Sequence, residues 1–328
     1  MTDGINITCF TASYAAALAL EVAGLWARPR WRRLLVLVAA AAGMVAHTWY
    51  LAHRASQSPW APLASQHDWY LAAAWVLALI YIGATLYHPR ASMGLFLLPV
   101  VLALIGAVYW ASEEPLARAE ASRVWARLHG VFLMLGTVAV LLGFVAGLMY
   151  LVQSHRLKHK LPAGDRFRLP SLEWLERVNG RSLAAAALLV GLGFLTGVLM
   201  RTSQADAGGV PWTDPVVLSL CGMLSWLIAA EAFRLAYPSA RRGRKVAYLT
   251  LAGFVFLVLT LASFMTSDTV HGGEGEKSEV RSPKSEVRSP KSEVRNPKSE
   301  IRSPKSEIVI SNFEIRISNL DLPSGGPQ

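Results

Sequence analysis

Three histidines stand where an imidazole could hold a metal-bearing ring. His129 opens the apolar run WARLHGVFLMLGTVAVLLGFVAGLMYLVQ, from Trp125 to Gln153. His47 lies inside an earlier run, LLVLVAAAAGMVAHTWYLA, and His271 closely follows the last one, in TSDTVHGG. An ionisable residue inside a membrane span is a functional-site hypothesis by default. Neutral imidazole is the common axial ligand of haem iron. Each residue also has a plainer explanation taken alone: His47 as a hydrogen-bonded packing residue, His271 as a solvated residue beside two glycines. Their shared depth lifts them as a set.

A flat side chain is available for the same chemistry. The segment GGVPWTDP runs from Gly208 to Pro215. Its glycines permit close backbone approach, and Trp212 can stack on a planar ring. Asp214 before Pro215 reads as an N-cap followed by proline at the first helical position. The other histidines carry less. His155 and His159 have i, i+4 spacing, but Arg156, Lys158 and Lys160 around them repel a cation. His88 precedes Pro89 at a helix end, and His53 and His67 fall in a loop; none of the three is given a role.

These residues need elements to position them. The chain is 53% hydrophobic and only 16% charged, against about a quarter charged in soluble domains. That shortage, with repeated apolar runs, predicts an all-α polytopic membrane protein. About eight transmembrane helices are expected, over 8–26, 34–52, 69–88, 92–112, 129–152, 182–201, 214–236 and 246–266. The first run lacks the flanks of a signal peptide and reads as a retained helix. Basic residues concentrate in alternate loops: seventeen, including Arg28, Arg30, Arg90, Arg156, Lys158, Arg241 and Arg242, against five, Arg54, Arg118, Arg123, Arg127 and Arg201. The basic side should be cytoplasmic, with both termini outside. On that reading His47, His129, His271 and Trp212 share the outer half. The formal charge of +10 is a topology signal dispersed over several loops, so a nucleic-acid partner is not expected.

Other stretches follow the same logic. Trp49, Trp60, Trp69, Trp110, Trp125 and Trp212 gather near the outer side, either as an interfacial belt or as an aromatic floor for a planar cofactor. LPSLEWLERVNGRS reads as a short helix lying on the cytoplasmic interface, N-capped by Ser171. From Lys277 the unit K-S-E-[VI]-R-[SN]-P repeats every seven residues. Its proline forbids a continuous helix, and its single apolar residue cannot support a seam. Residues 273–328 are therefore expected to be a disordered low-complexity tail behind a membrane domain of 1–272. Cys9 and Cys221 form no metal or redox motif. No nucleotide loop or nucleophile triad is present, which predicts a protein that is not itself an enzyme.

The chain resembles the cytochrome c assembly family, the group that includes CcsA and CcmC, and within it the HemX/YpjD-type branch. The resembling segments are GMVAHTWYLAHR, RLHGVFLMLGTVAVLLGFVAGLMYLVQ, LPSLEWLERVNGRSLAAAALLVGLGFLTG and DPVVLSLCGMLSWLIAAEAFRL. The resemblance implies an eight-helix bacterial inner-membrane protein that handles b-type haem for c-type cytochrome maturation, with apocytochrome c and other assembly proteins as partners. It implies that His129 and His271 flank the haem as axial ligands, with Trp212 as platform, and that His47 matches the second-helix histidine of the HemX-like branch, a deeper ligand or relay. Two departures are visible. Only Trp212, Thr213, Asp214 and Pro215 remain of the family's WGxxWxWD segment, with Val216 where CcsA has lysine. The stretch from Trp226 to Arg234 has no histidine and carries Glu231. Other classes are a HemX-like regulator of glutamyl-tRNA reductase level acting through residues 153–181, a bis-histidine electron-transfer cytochrome, and an unrelated small-molecule transporter.

Overall fold

Within lipid, every backbone N–H and C=O must be bonded inside its own segment, which leaves helices as the economical solution. The computed structural model describes residues 6–26, 31–57, 65–113, 123–160, 167–202, 212–237 and 244–266. The chain divides into two units, Met1–Ser278 and Glu279–Gln328, and all described residues belong to the first. The seven-residue repeats and His271 lie outside the described residues.

Among the described residues there are eight α-helices and no strand: α1 (Ile7–Ala23), α2 (Arg32–Gln57), α3 (Gln66–Tyr87), α4 (Gly94–Ala107), α5 (Arg123–Lys158), α6 (Leu172–Thr202), α7 (Pro215–Ala236) and α8 (Arg244–Thr266). Six are long and apolar enough to cross a membrane; α1, and α4 with the 3₁₀ turn Val108–Trp110 that continues it, are shorter. Seventeen residues of α1 reach only about 25 Å, a few ångströms short of a ~30 Å hydrocarbon core. Such a shortfall is met by local thinning or by neighbouring helices.

Two boundaries depart from the sequence expectation. The segment after Pro170 is no separate interfacial helix: Leu172 begins α6, which continues unbroken into the membrane run. Ser171 does cap it, accepting from the Trp174 N–H at 3.3 Å. But Leu175, Asn179 and Gly180 are buried, so its apolar side meets other helices rather than lipid. Likewise α5 starts at Arg123, so His129 lies nearly two turns inside it.

The helices pack as two groups. In the first, α1 meets α2 and α4, and α3 meets α2 and α4; in the second, α5 meets α6 and α8, and α7 meets α6 and α8. Contacts of α3 and α4 with α5 join them. The most extensive pairing, α5 with α6, rests on small residues. A Cβ at Gly136 would lie 2.8 Å from Val190, and one at Gly193 would lie 2.5 Å from Leu133. In a membrane, such close backbone approach replaces the hydrophobic drive that water would supply.

Polar links close both ends. At the basic end, Arg32 holds Glu21 at 3.2 Å, both largely buried, Arg244 donates to Ser154 at 3.0 Å, and the Ser92 N–H donates to the Arg168 carbonyl at 2.8 Å. At the opposite end, Gln66 donates to the Phe264 carbonyl at 3.1 Å and accepts from the Ser112 N–H at 3.5 Å. This ties the start of α3 to the end of α8. Arg54 pairs there with Asp68, whose side chain is 4% exposed. Removing Arg54 strands the buried Asp68 carboxylate, so Arg54→Leu should cost about 3 kcal/mol, read as a lowered Tm in detergent. Glu173→Ala removes an exposed 2.9 Å pair with Arg177 and should cost under about 1 kcal/mol. Equal effects would show that burial does not set the strength of these pairs.

Candidate functional site

His129 is positioned by the α5–α6 contact. Its Nδ1 lies 2.8 Å from the Gly193 carbonyl oxygen. A carbonyl can only accept, so Nδ1 carries the proton and donates. That fixes the neutral tautomer and assigns the lone pair to Nε2, as backbone carbonyls do for many metal-bound histidines. The ring lies over α6 because residue 197 is glycine: a Cβ there would sit 3.0 Å from its Nδ1 and Cε1. Thr196 also donates to the Gly193 carbonyl, at 2.8 Å, so this backbone oxygen serves two donors. The His129 ring is half-buried. On the α3 side, Trp69 packs against Gly130, where a Cβ would lie 2.6 Å from the indole.

Trp212 and Asp214 sit at the same end. Asp214 caps α7, accepting from the Val216 and Val217 N–H groups at 2.8 and 3.4 Å, with Pro215 in the first turn. The helix start read from Asp214-Pro215 is thus as expected. Trp212 is 51% exposed, and the Arg201 guanidinium at the end of α6 lies 4.7 Å from its ring centroid. That contact joins the ends of α6 and α7, about a turn beyond Gly197. Gly208 to Pro211, the glycine part of the loop, lie outside the described residues.

His47 occupies a different place. It is fully buried, stacked on Phe10 with centroids 4.3 Å apart and planes 2° apart, with Tyr14 edge-on at 6.1 Å. Neither ring nitrogen reaches hydrogen-bond geometry, and the Leu71 backbone is the polar group facing it. Because α2 extends to Gln57, His47 lies roughly 15 Å below that helix end, deeper than the sequence spacing implied. Its ring contacts are with α1 and α3, those of His129 with α6. The described structure therefore brings His129 and Trp212 to one end of the second helix group and seats His47 within the first.

The remaining candidates resolve locally. Glu231 pairs with Arg234 on its own helix at 2.5 Å. His155 and His159 pack against each other with tilted rings, 4.3 Å between centroids, at the end of α5. Among the described residues no group of three His, Cys, Asp or Glu side chains is placed to hold a metal ion. Trp110 and Trp125 are 79% and 41% exposed.

The sequence reading passed over the stretch Ser65–Trp69. It is the first turn of α3, not loop: Ser65 accepts from the Asp68 N–H at 3.3 Å, and Ser65, Gln66, His67 and Asp68 are all buried. His67 lies 3.6 Å from Asp68 and 4.0 Å from Glu113. The available signal was the S-x-x-D spacing, which marks a capped helix start. Its burial depends on Arg54, Ser112 and Phe264, which are remote in sequence.

No match was found among curated proteins or among solved structures. A family model, described as cytochrome C assembly protein, matches residues 35–271, a stretch that contains most of α2, all of α3 through α8, and His47, His129, Trp212 and His271. With its membrane-crossing helices and that match over most of its length, the chain is a multi-pass membrane protein that belongs to the cytochrome c assembly protein family.

Proposed function

We propose that this protein binds b-type haem at the end of the bundle opposite its basic loops, and presents it there for attachment to apocytochrome c. The carrying observation is the His129 tautomer. Nδ1 donates to the Gly193 carbonyl, so Nε2 is the nitrogen with a lone pair for iron. His271 is the second axial ligand in this reading. Trp212 offers a flat, half-exposed ring, and Arg201 beside it supplies a guanidinium for the propionates. Bound haem would supply an iron centre; His129 and His271 would hold it, Trp212 would stack on its ring and Arg201 would face its propionates.

Family membership supports a role in c-type cytochrome biogenesis. The basic residues at the opposite end, among them Arg90, Arg156, Lys158, Arg168, Arg177 and Lys245, favour a cytoplasmic assignment for that end. The haem end then faces outward from a bacterial inner membrane. His47 is the deeper ligand or relay of the proposal, and its stack on Phe10 means that a ring approaching it must displace Phe10. The protein acts by binding and positioning, with assembly partners supplying any covalent chemistry.

Absorption spectroscopy of the detergent-purified protein tests this. Wild type should give a haem spectrum, as purified or on adding haem, and His129→Ala and His271→Ala should each weaken binding about tenfold or more, the scale of a lost ligand interaction of ~1.4 kcal/mol. A wild type that carries and takes up no haem sinks the reading; normal spectra in both variants sink only the ligand assignment. Gly197→Leu keeps every ligand but pushes a side chain into the His129 ring. It should shift the spectrum and lower affinity, and an unchanged spectrum would show that the ring position observed here is not the one that meets haem.

A further inference from the structure

A second site lies at the basic end, and its argument is independent of the haem reading. Between the α3–α4 turn and the segment leading into α6 is a cavity of about 250 Å³, lined by His88, Pro89, Arg90, Ala91, Arg168, Leu169 and Pro170. Among the described residues no acidic one lines it. Arg90 and Arg168, from different loops, are both exposed. Their guanidinium groups offer planar, paired N–H donors suited to phosphate oxygens.

The walls are held in place. The Ser92 N–H donates to the Arg168 carbonyl at 2.8 Å. Arg156 donates to the Phe167 carbonyl at 2.8 Å and lies over the Phe167 ring, which also meets Phe96. Pro89 and Pro170 stiffen the backbone on both sides. His88 is clamped edge-to-face between Tyr87 and Trp174, at 4.8 and 4.7 Å, and its Nε2 is buried without a hydrogen-bond partner. Leu86 and Tyr87, 58% and 76% exposed, adjoin the cavity. They offer an apolar and aromatic border where an acyl chain would run, at the level where headgroups meet helix ends.

We propose that this cavity binds the phosphate headgroup of an anionic phospholipid of the leaflet at the basic end. Arg90 and Arg168 grip the phosphate, the buried His88 ring holds the wall behind them, and the Leu86–Tyr87 border receives the acyl chain. The basic loops set which leaflet this is, and a basic pocket between helices on that side is suited to anionic headgroups. A free phosphate would use the same guanidinium groups but draw nothing from the apolar border.

The test uses the full chain in detergent, titrated with dioleoylphosphatidylglycerol, dioleoylphosphatidylcholine or inorganic phosphate, reading bound lipid by native mass spectrometry and Tm in parallel. Wild type should retain phosphatidylglycerol over phosphatidylcholine and gain Tm from it. R90Q/R168Q should bind it roughly thirty-fold more weakly, since each basic residue near an anionic surface accounts for about a fivefold change. R90K/R168K should fall between the two, and K245Q at the same end should lose far less than R90Q/R168Q. Equal retention of the two lipids overturns the proposal, as does equal loss in K245Q. Protection by inorganic phosphate equal to that by phosphatidylglycerol overturns the lipid assignment. If R90Q/R168Q does not fold, the graded R90K/R168K variant and the K245Q control decide by the same readouts.

Discussion

The close approach of α5 and α6 is the constraint from which the candidate site follows. Lipid offers helices no hydrophobic reason to associate, so contact must come from packing and from bonds that small residues permit. Gly136, Gly193 and Gly197 remove the side chains that would hold the two backbones apart. Only then can the His129 ring lie over α6 and donate to the Gly193 carbonyl, at 2.8 Å. One geometric fact thus fixes the helix pair, the ring orientation and the tautomer together.

The two ends of the bundle use polarity differently. Both bury ion pairs, Glu21 with Arg32 and Arg54 with Asp68. A buried pair is weak evidence of net stability but strong evidence of specificity, because each partner leaves the other costly if misplaced. At the end opposite the basic loops the buried start of α3 is bonded to Ser112 and Phe264, so α8 is anchored where the chain departs toward His271. At the basic end two exposed arginines, Arg90 and Arg168, line a cavity. The same fold therefore presents aromatic and imidazole groups at one end and guanidinium groups at the other.

Family membership and the local geometry bear on different levels. The match from residue 35 to residue 271 sets the biological setting, c-type cytochrome biogenesis. Asp214 and Pro215 are accounted for by starting α7, which leaves Trp212, under Arg201, as the residue there with a surface to offer.

The sequence alone determined the elements. Apolar runs long enough to span a bilayer, and loops that alternate in charge, identify eight helices and their two ends, because both signals are local and imposed by the medium. It also determined the start of α7 from Asp214-Pro215 and a helix start at Ser171, since a cap is a short-range bond. Tertiary structure decided what those elements face. His67 read as a loop residue because its burial comes from groups remote in sequence. His47 and His129 read as neighbours in depth, yet packing gives one to α1 and α3 and the other to α6. The stretch from Leu172 to Gly180 read as interfacial because its pattern is amphipathic, and only the surrounding helices make it part of α6. Periodicity tells which face of a helix is apolar; whether that face meets lipid or protein depends on contacts that no local pattern contains.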